Sequence, residues 1–188
     1  MNYELNELRR AHEAGQRFKY LFFWGHTPKR PGTIDASCLS QWWPSAFTVD
    51  GTEYVCAEQY MMAEKARLFR DEETRQRILR AGHPKRMKEL GREVRNFDDA
   101  VWKKEASGIV RRASTEKFRQ NAELWAFLRN TQNRVLVEAS PRDRIWGIGL
   151  GKDHPNVENP SAWRGTNLLG FALSEARDTL LKEEVQDE

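Results

Sequence analysis

Residues 57–69 carry the clearest alternation of apolar and polar positions in the chain, with a three-to-four-residue period that predicts an amphipathic helix. The apolar positions form one stripe, made of Met61, Met62, Leu68 and Phe69. Lys65 lies in the middle of this stripe and Glu58 lies at its start. Because an unpaired charge is costly to bury, such side chains are usually paired, shifted in pKa or functional. From this helix alone, the plainer interpretation is a structural ion pair, or a lysine whose ammonium reaches the solvent.

The rest of the pattern predicts further helices and a few short strands. Helices are expected over residues 4–14, 71–81, 83–91, 98–112, 115–130 and 167–181. Strands are expected over 17–25 and 134–138, and a hairpin over 47–55, in which Asp50-Gly51 supplies the turn. The loop over 139–165 is long, rich in Gly, Pro, Asp and Asn, and holds two tryptophans, so it is expected to be ordered and functional.

These elements predict one mainly helical α+β domain with a few short strands. We expect this domain over residues 17–182, preceded by an N-terminal helical extension over 1–16 and followed by an acidic tail over 183–188. No internal repeat and no linker interrupts the chain.

Composition describes an ordinary globular protein and excludes several classes. Of the 188 residues, 39% are hydrophobic and 31% charged, and the net charge of +3 is too weak to indicate nucleic-acid binding by itself. Residues 64–95 are more basic, with eleven Lys or Arg against six Asp or Glu. This stretch fits either a solvated helix face or contact with a phosphorylated ligand. Two cysteines without a disulfide framework, and no apolar run that could be a secretory signal or a membrane span, predict a reduced cytoplasmic protein that contacts no membrane.

Known cofactor and metal motifs are absent from the sequence. It has no P-loop, no dinucleotide-binding Gly-x-Gly-x-x-Gly and no His-Glu-x-x-His, and its four histidines show no ligand spacing. We therefore expect neither a metal nor a cofactor.

Four clusters remain as candidates for chemistry. Residues 40–47 place adjacent tryptophans before Pro-Ser, where one ring fits the core and the other a ligand. The second cluster is the helix that carries Lys65. Residues 138–149 place two carboxylates just beyond a strand, with glycines that allow close backbone approach. Residues 163–170 place Gly and Asn before a helix, whose N-terminus can hold an anion.

Taken together and in order, these blocks resemble the NADAR family, also called YbiA-like N-glycosidases. The resemblance rests on Pro-Ser-x-Phe, Ala-Glu-Gln-Tyr-Met-Met-Ala-x-Lys-Ala, Leu-Gly-Arg-x-Val-Arg-x-Phe-Asp with Trp102, Lys-Phe-x-Gln-Asn, Val-Glu-Ala-Ser-Pro-x-Asp-x-Ile-Trp-Gly-Ile-Gly-Leu and Trp-x-Gly-x-Asn-Leu-Leu-Gly. It covers about residues 18–181, which is nearly the whole chain.

The resemblance implies a hydrolase that acts on N-glycosyl compounds. The known activities of the family are hydrolysis of early riboflavin-pathway intermediates and removal of ADP-ribose from modified guanine in nucleic acid. The expected partner is therefore a small phosphorylated ribosyl substrate, with ADP-ribosylated nucleic acid as the alternative. We expect Lys65 to act as acid–base or Schiff-base residue, with Glu58 and Asp143 assisting. The residues expected to contact substrate are Trp43, Ser45, Phe47, Trp102, Glu138, Trp146, Gly147, Trp163, Gly165 and Asn167.

Two other functional classes fit the same residues. A non-catalytic module that binds nucleotides or ADP-ribose would use the same aromatic side chains and helix N-termini, and it predicts binding without turnover. A nucleic-acid-interaction protein would use the basic stretch 64–95, and it predicts salt-dependent binding with little sugar specificity.

Overall fold

A computed structural model describes residues 3–187 and divides the chain into two compact units. We call residues 1–40 together with 123–188 the terminal unit, and residues 41–122 the central unit. The predicted α+β class, mainly helical with a few short strands, is confirmed. The boundaries predicted at 16–17 and 182–183 stay predictions.

The terminal unit is built around a parallel pair of strands. Strand β1 (Tyr20–Phe23) pairs with β4 (Val135–Glu138), so that Phe23 and Glu138 end at the same edge. Helix α7 (Leu168–Asp187) packs on β4, and α6 (Ala122–Arg129) begins at the boundary of the unit. Because both strands run in the same direction, the loops that follow them leave from one side of the pair.

The N-terminal helix α1 (Leu5–Glu13) is packed into the terminal unit. Leu8 is buried in one hydrophobic cluster with β4 and Trp163. The Arg9 guanidinium donates to the backbone carbonyls of Pro160 and Trp163, at 3.0 and 3.1 Å. Helix α1 therefore packs on this hydrophobic cluster and is hydrogen-bonded to the loop over residues 139–165.

The central unit surrounds one buried helix with three others. Helix α2 (Ala57–Leu68) contacts α3 (Glu72–Leu79), α4 (Pro84–Arg92) and α5 (Asp99–Arg119). Nine of its twelve residues are buried, so the prediction of an amphipathic helix with one apolar stripe is wrong. The small and polar side chains between the large apolar ones are covered by neighbouring helices, which a pattern within one segment does not reveal.

The hairpin of the central unit agrees with its prediction. Strands β2 (Phe47–Val49) and β3 (Thr52–Tyr54) pair in antiparallel fashion. Asp50 and Gly51 both have positive φ, 49° and 76°, which is the conformation that a two-residue hairpin turn requires.

Two predicted helix boundaries are wrong. The helices expected over 98–112 and 115–130 are instead α5 and α6, and the break falls after Arg119. Residues 113–115 are buried within α5, where the Thr115 hydroxyl donates to the Arg111 carbonyl at 3.0 Å, so packing keeps the helix continuous. The last helix continues beyond the predicted residue 181 into the acidic segment, to Asp187. Within residues 3–187, no helix is both long enough and apolar enough to cross a membrane.

Candidate active site

The Lys65 ammonium lies half-buried among backbone and aromatic groups of the central unit. Its Nζ donates a hydrogen bond of 2.8 Å to the Gly91 carbonyl, at the end of α4. The same atom lies 4.2 Å from the ring centre of Phe97 and 5.5 Å from that of Trp102. Phe97 is partly exposed, so this arrangement opens to the surface. The sequence predicted Lys65 and Trp102 as site residues, and the structure brings these two together.

This environment lowers the pKa of Lys65 below its ordinary value. Burial is the larger cause, because it disfavours the charged form, and the nearby Arg92 guanidinium lowers the pKa further. Both effects increase the fraction of neutral amine at a given pH, which is the form that can act as a nucleophile or accept a proton.

Gly91 allows the carbonyl that holds Lys65 to approach. A Cβ at this position would collide with the Met62 Sδ on α2, so a larger residue would require the flexible Met62 side chain to move. Gly91 and Phe97 were not selected as site residues, although both lie in the block Leu-Gly-Arg-x-Val-Arg-x-Phe-Asp, because each acts through its position beside a residue distant in the chain.

The loop that carries Phe97 is fixed by Asp71. The Asp71 carboxylate accepts hydrogen bonds from the Arg95 guanidinium at 2.7 Å, from the Arg95 amide at 2.9 Å and from the Thr74 amide at 3.2 Å. The Arg95 guanidinium is the largest cause that holds the pKa of Asp71 well below its usual range, against the opposing effect of burial. Asp71 thus caps α3 and anchors the segment just before Phe97.

Replacing Asp71 with asparagine is expected to lower the free energy of unfolding by about 2 kcal/mol at pH 7. A carboxyl whose folded pKa is depressed stabilises above its unfolded pKa of about 3.9 and loses that contribution as the pH falls towards the folded value. The gap between wild type and Asp71→Asn should therefore be full at pH 7 and shrink progressively below about pH 4. Urea unfolding of both proteins at pH 7 and at a pH below about 4 measures this gap. A gap that is independent of pH would contradict this role of the charge.

Glu58 is buried in the first turn of α2, with only 3% of its surface exposed. Its amide donates to the Gln41 carbonyl at 2.9 Å. It lies seven residues before Lys65, which places both side chains on nearly the same face of α2, with a rise of about 10 Å between their α-carbons.

Lys117 is a buried cation of α5 that the sequence analysis did not select as a site residue. It is 1% exposed, and its Nζ lies 5.2 Å from the centre of the Phe118 ring. Burial raises the pKa of the neighbouring Cys56 thiol, the charge of Glu58 raises it further, and the charge of Lys117 lowers it. The charges of Glu58 and Lys117 therefore shift the pKa of the same thiol in opposite directions. The spacing of Val110, Ala113 and Lys117 along one buried face of α5 was the available signal.

The predicted residues of the hairpin region lie mainly in packing positions. Ser45 is buried, and its hydroxyl donates to the Trp43 carbonyl at 3.2 Å. Phe47 is buried against Tyr54 and Tyr60, with ring centres 5.9 and 6.1 Å away. Trp43 is half-buried. Of these three predicted residues, Trp43 alone keeps an accessible ring.

In the terminal unit, Asp143 organises the loop after β4. Its Oδ1 accepts from the amides of Ile145 and Trp146, both at 2.8 Å, and its own amide donates to the Ser140 hydroxyl oxygen at 3.2 Å. Within residues 3–187, the structure gives Asp143 Oδ2 no hydrogen bond, so one oxygen is left for a ligand. Trp146 is half-buried at the end of this turn.

Two glycines let the loops of the terminal unit meet backbone to backbone. A Cβ on Gly147 would lie 2.8 Å from the Glu138 carbonyl, and one on Gly165 would collide with the Gly147 carbonyl. The half-buried Glu138 forms the end of β4. The predicted residues Glu138, Gly147 and Gly165 are therefore brought together, with the two glycines as spacers.

Trp163 and Asn167 are buried and bonded to backbone. The Trp163 indole donates to the Val157 carbonyl at 2.7 Å. Asn167 is 0% exposed; its amide nitrogen donates to the Leu136 carbonyl at 2.9 Å, and its oxygen accepts from the Glu138 amide at 3.0 Å. In this conformation both side chains support the loop rather than face a ligand.

The predicted anion site at the start of α7 is not formed. The amides of Asn167, Leu168 and Leu169 donate to the carbonyls of Gly147, Ile145 and Trp146, at 3.1–3.2 Å. Donors that are already bonded to carbonyls cannot serve a phosphate.

Among the described residues, no group of three or more His, Cys, Asp or Glu side chains is arranged to hold a metal ion.

Comparisons with known proteins match this chain over most of its length. The model of the NADAR domain matches residues 22–181. The N-glycosidase R617 of Acanthamoeba polyphaga mimivirus is 41% identical over 165 residues, which cover 85% of this chain and 95% of the relative. A Vibrio vulnificus relative, named a riboflavin biosynthesis protein, is 31% identical over 76% of this chain and 35% of its own length.

The N-glycosidase YbiA of Escherichia coli matches in both sequence and structure. It is 33% identical over 141 residues, which cover 75% of this chain and 78% of YbiA. Its NMR structure aligns with a TM-score of 0.71 and 28% identity, over 90% of this chain and 89% of that one. The names of these relatives agree with the predicted class of enzyme, a hydrolase acting on N-glycosyl compounds.

Proposed function

Because the chain belongs to the NADAR domain family, we propose that it is an N-glycosidase that hydrolyses the N-ribosidic bond of a phosphorylated ribosyl substrate. The proposed substrate is an early riboflavin-pathway intermediate, the ribosylamino-uracil 5-phosphate. The observation that carries the mechanism is the half-buried Lys65, whose pKa is lowered by burial and by Arg92 and whose ammonium lies over Phe97 and Trp102.

The proposed reaction passes through a Schiff base on Lys65. The neutral Nζ attacks C1 of the ring-opened ribosyl group, and the bond from C1 to the heterocycle nitrogen breaks as that nitrogen takes a proton. The resulting imine between C1 and Nζ is then attacked by water, which releases the sugar as its aldehyde and returns the free amine. Lowering the pKa of Lys65 supports the first step, since only the neutral amine has a lone pair to donate.

A carboxylate of the central unit is proposed to assist. Glu58, also on α2, would carry the proton to the leaving nitrogen and take one from the attacking water. Asp143, in the terminal unit, stays a predicted site residue. The flat rings of Phe97 and Trp102 beside the amine would contact the uracil ring.

The basic stretch 64–95 gives little support to the alternative substrate, ADP-ribosylated guanine in nucleic acid. Five of its arginines are ion-paired with neighbouring carboxylates: Arg67, Arg75, Arg77, Arg86 and Arg95. Neighbouring carboxylates therefore partly offset the charge of these five arginines, which weakens the attraction that this stretch exerts on a phosphate backbone.

The test is to incubate the purified protein separately with the ribosylamino-uracil 5-phosphate and with an ADP-ribosylated guanine oligonucleotide, and to follow the products by mass spectrometry. Ribose 5-phosphate released from the first substrate is the expected result, and borohydride should trap the sugar on Lys65. ADP-ribose released only from the second would move the assignment to base repair. Binding of both substrates without any release would contradict catalysis and favour a binding module.

A further inference from the structure

A cavity of about 530 Å³ lies in the terminal unit, at the edge where β1 and β4 end. It is lined by Phe22, Phe23 and Trp24 from β1 and the residue after it, and by Ala139 and Pro141 after β4. Its volume falls within the range of small-ligand pockets, about 300–1,000 Å³. The ends of parallel strands are a usual place for such sites, because the loops that leave them can diverge around a ligand.

Trp24 supplies a large, open ring to this cavity. It is 63% exposed, although the two residues before it in β1 are half-buried and buried. An exposed indole that lines a pocket offers a flat surface on which a heterocyclic base can stack.

One wall of the cavity is held rigid by Asp35. Its Oδ2 accepts from the Lys29 amide at 2.8 Å, and its Oδ1 accepts from the Ser37 amide and hydroxyl at 2.9 and 2.6 Å. Burial by itself would raise the pKa of Asp35, but these bonds and the Lys29 charge lower it overall. The Asp35 carboxylate is thus occupied by the loop, and the wall needs little ordering when a ligand binds.

Three further charged side chains at the rim form no such hydrogen bonds to the loop, although the Lys29 charge also acts on Asp35. Lys29, Lys152 and Asp153 line the cavity, and all three are exposed. Among the described residues, no salt bridge engages any of the three. Two ammonium groups and one carboxylate beside a flat ring match the three parts of a nucleotide: phosphate for the ammonium groups, ribose hydroxyls for the carboxylate and the base for the ring.

We propose that this cavity is a binding site for a nucleoside phosphate, with the base on Trp24, the phosphate between Lys29 and Lys152, and ribose hydroxyls on Asp153. The site goes beyond the proposed function, because its lining belongs entirely to the terminal unit and includes none of the groups around Lys65.

Isothermal titration of the full chain with AMP, adenosine and ribose 5-phosphate separates the three contacts. Trp24→Ala should weaken AMP and adenosine binding by about tenfold or more and leave ribose 5-phosphate binding unchanged. The double change Lys29→Gln and Lys152→Gln should weaken AMP and ribose 5-phosphate binding but not adenosine binding. Val185→Ala removes another exposed apolar side chain of the same unit and should leave all three affinities unchanged.

The proposal is overturned if AMP does not bind the wild type at millimolar concentration, or if Trp24→Ala binds AMP as the wild type does. Circular dichroism and the thermal midpoint check that each variant is folded, and Trp24→Phe, which keeps a ring, should retain part of the affinity. Lys65→Met should lose turnover and keep AMP binding. If Lys65→Met instead lost AMP binding, the nucleotide would lie at Lys65 and not in this cavity.

Discussion

Replacing Lys65 with methionine is expected to lower kcat for N-glycoside hydrolysis by about a thousandfold or more. Methionine keeps much of the length and apolar contact of lysine but has no amine, so it cannot form the imine or move a proton. Lys65→Arg should fail to a similar degree, because guanidinium stays protonated and is not a nucleophile near neutral pH. Release of the sugar phosphate, followed by mass spectrometry under single-turnover conditions, measures the chemical step directly.

Stability separates this loss from unfolding. A half-buried lysine whose pKa is lowered by burial is less favourable in the folded state wherever the amine is charged. Its removal should therefore leave the thermal midpoint unchanged or raise it, although the bond to Gly91 is lost. Lys104→Met, on the exposed side of α5, is the matched control and should retain full activity. Full activity of Lys65→Met would contradict the proposed Schiff-base mechanism, which requires the Lys65 amine.

The dependence of activity on pH gives a second measure of the same amine. If neutral Lys65 attacks C1, kcat/KM should rise with pH along a limb that ends below about 10.4, the value for an ordinary lysine. Burial and Arg92 both shift the limb in this direction. Replacing Arg92 with glutamine removes one of the two causes of the lowered Lys65 pKa, so the limb should shift to higher pH. A limb that is unaffected by Arg92→Gln would show that a different group titrates.

The sequence located Lys65 for a reason that was only partly right. A lysine among apolar positions of residues 57–69 did indicate an unusual amine, and the structure places it half-buried. The stripe itself was wrong, because α2 is covered by helices on nearly every side. A local period reports the average environment of a segment, whereas the environment of one amine depends on groups such as the Gly91 carbonyl and the Phe97 ring, which other segments contribute.

Lys117 shows the opposite failure. The predicted break between the helices over 98–112 and 115–130 fell at residues 113–114, which placed Lys117 in the first turn of the second of these helices. In the structure α5 continues to Arg119, and Lys117 takes the next place on a buried face with Val110 and Ala113. One wrong helix boundary therefore concealed a buried cation, because the face that a residue occupies depends on the helix to which it belongs.

Polar side chains of the terminal unit were harder to interpret. Asp143 and Asn167 are both residue types that bind sugars and both follow or precede loops, which made them candidates. The same chemistry also bonds backbone amides and carbonyls, and the structure shows both residues doing so. Sequence alone does not separate these uses, because they differ only in whether the partner is the chain itself.

Replacing Asn167 with alanine is expected to lower the free energy of unfolding by about 3–5 kcal/mol. The change removes the bonds to the Leu136 carbonyl and the Glu138 amide on β4. It also places alanine at a φ of 55°, in the left-handed region that asparagine tolerates better. Asn167→Gly loses the same bonds without that strain, so it should be less destabilised than Asn167→Ala by about 1 kcal/mol. Denaturant unfolding measures both.

Asn167→Asp isolates one bond of the pair. Aspartate can still accept from the Glu138 amide but sets an oxygen against the Leu136 carbonyl, so it should be destabilised although its shape is preserved. Asn133→Ala, at an exposed position of the same unit, is the control and should change the free energy of unfolding by less than about 0.5 kcal/mol. If Asn167→Ala unfolded like the wild type and lost only affinity for the ribosyl substrate, the side chain would serve the ligand rather than β4. A large loss of stability would instead mean that Asn167 supports the site by holding the start of α7 against the strand that ends at Glu138.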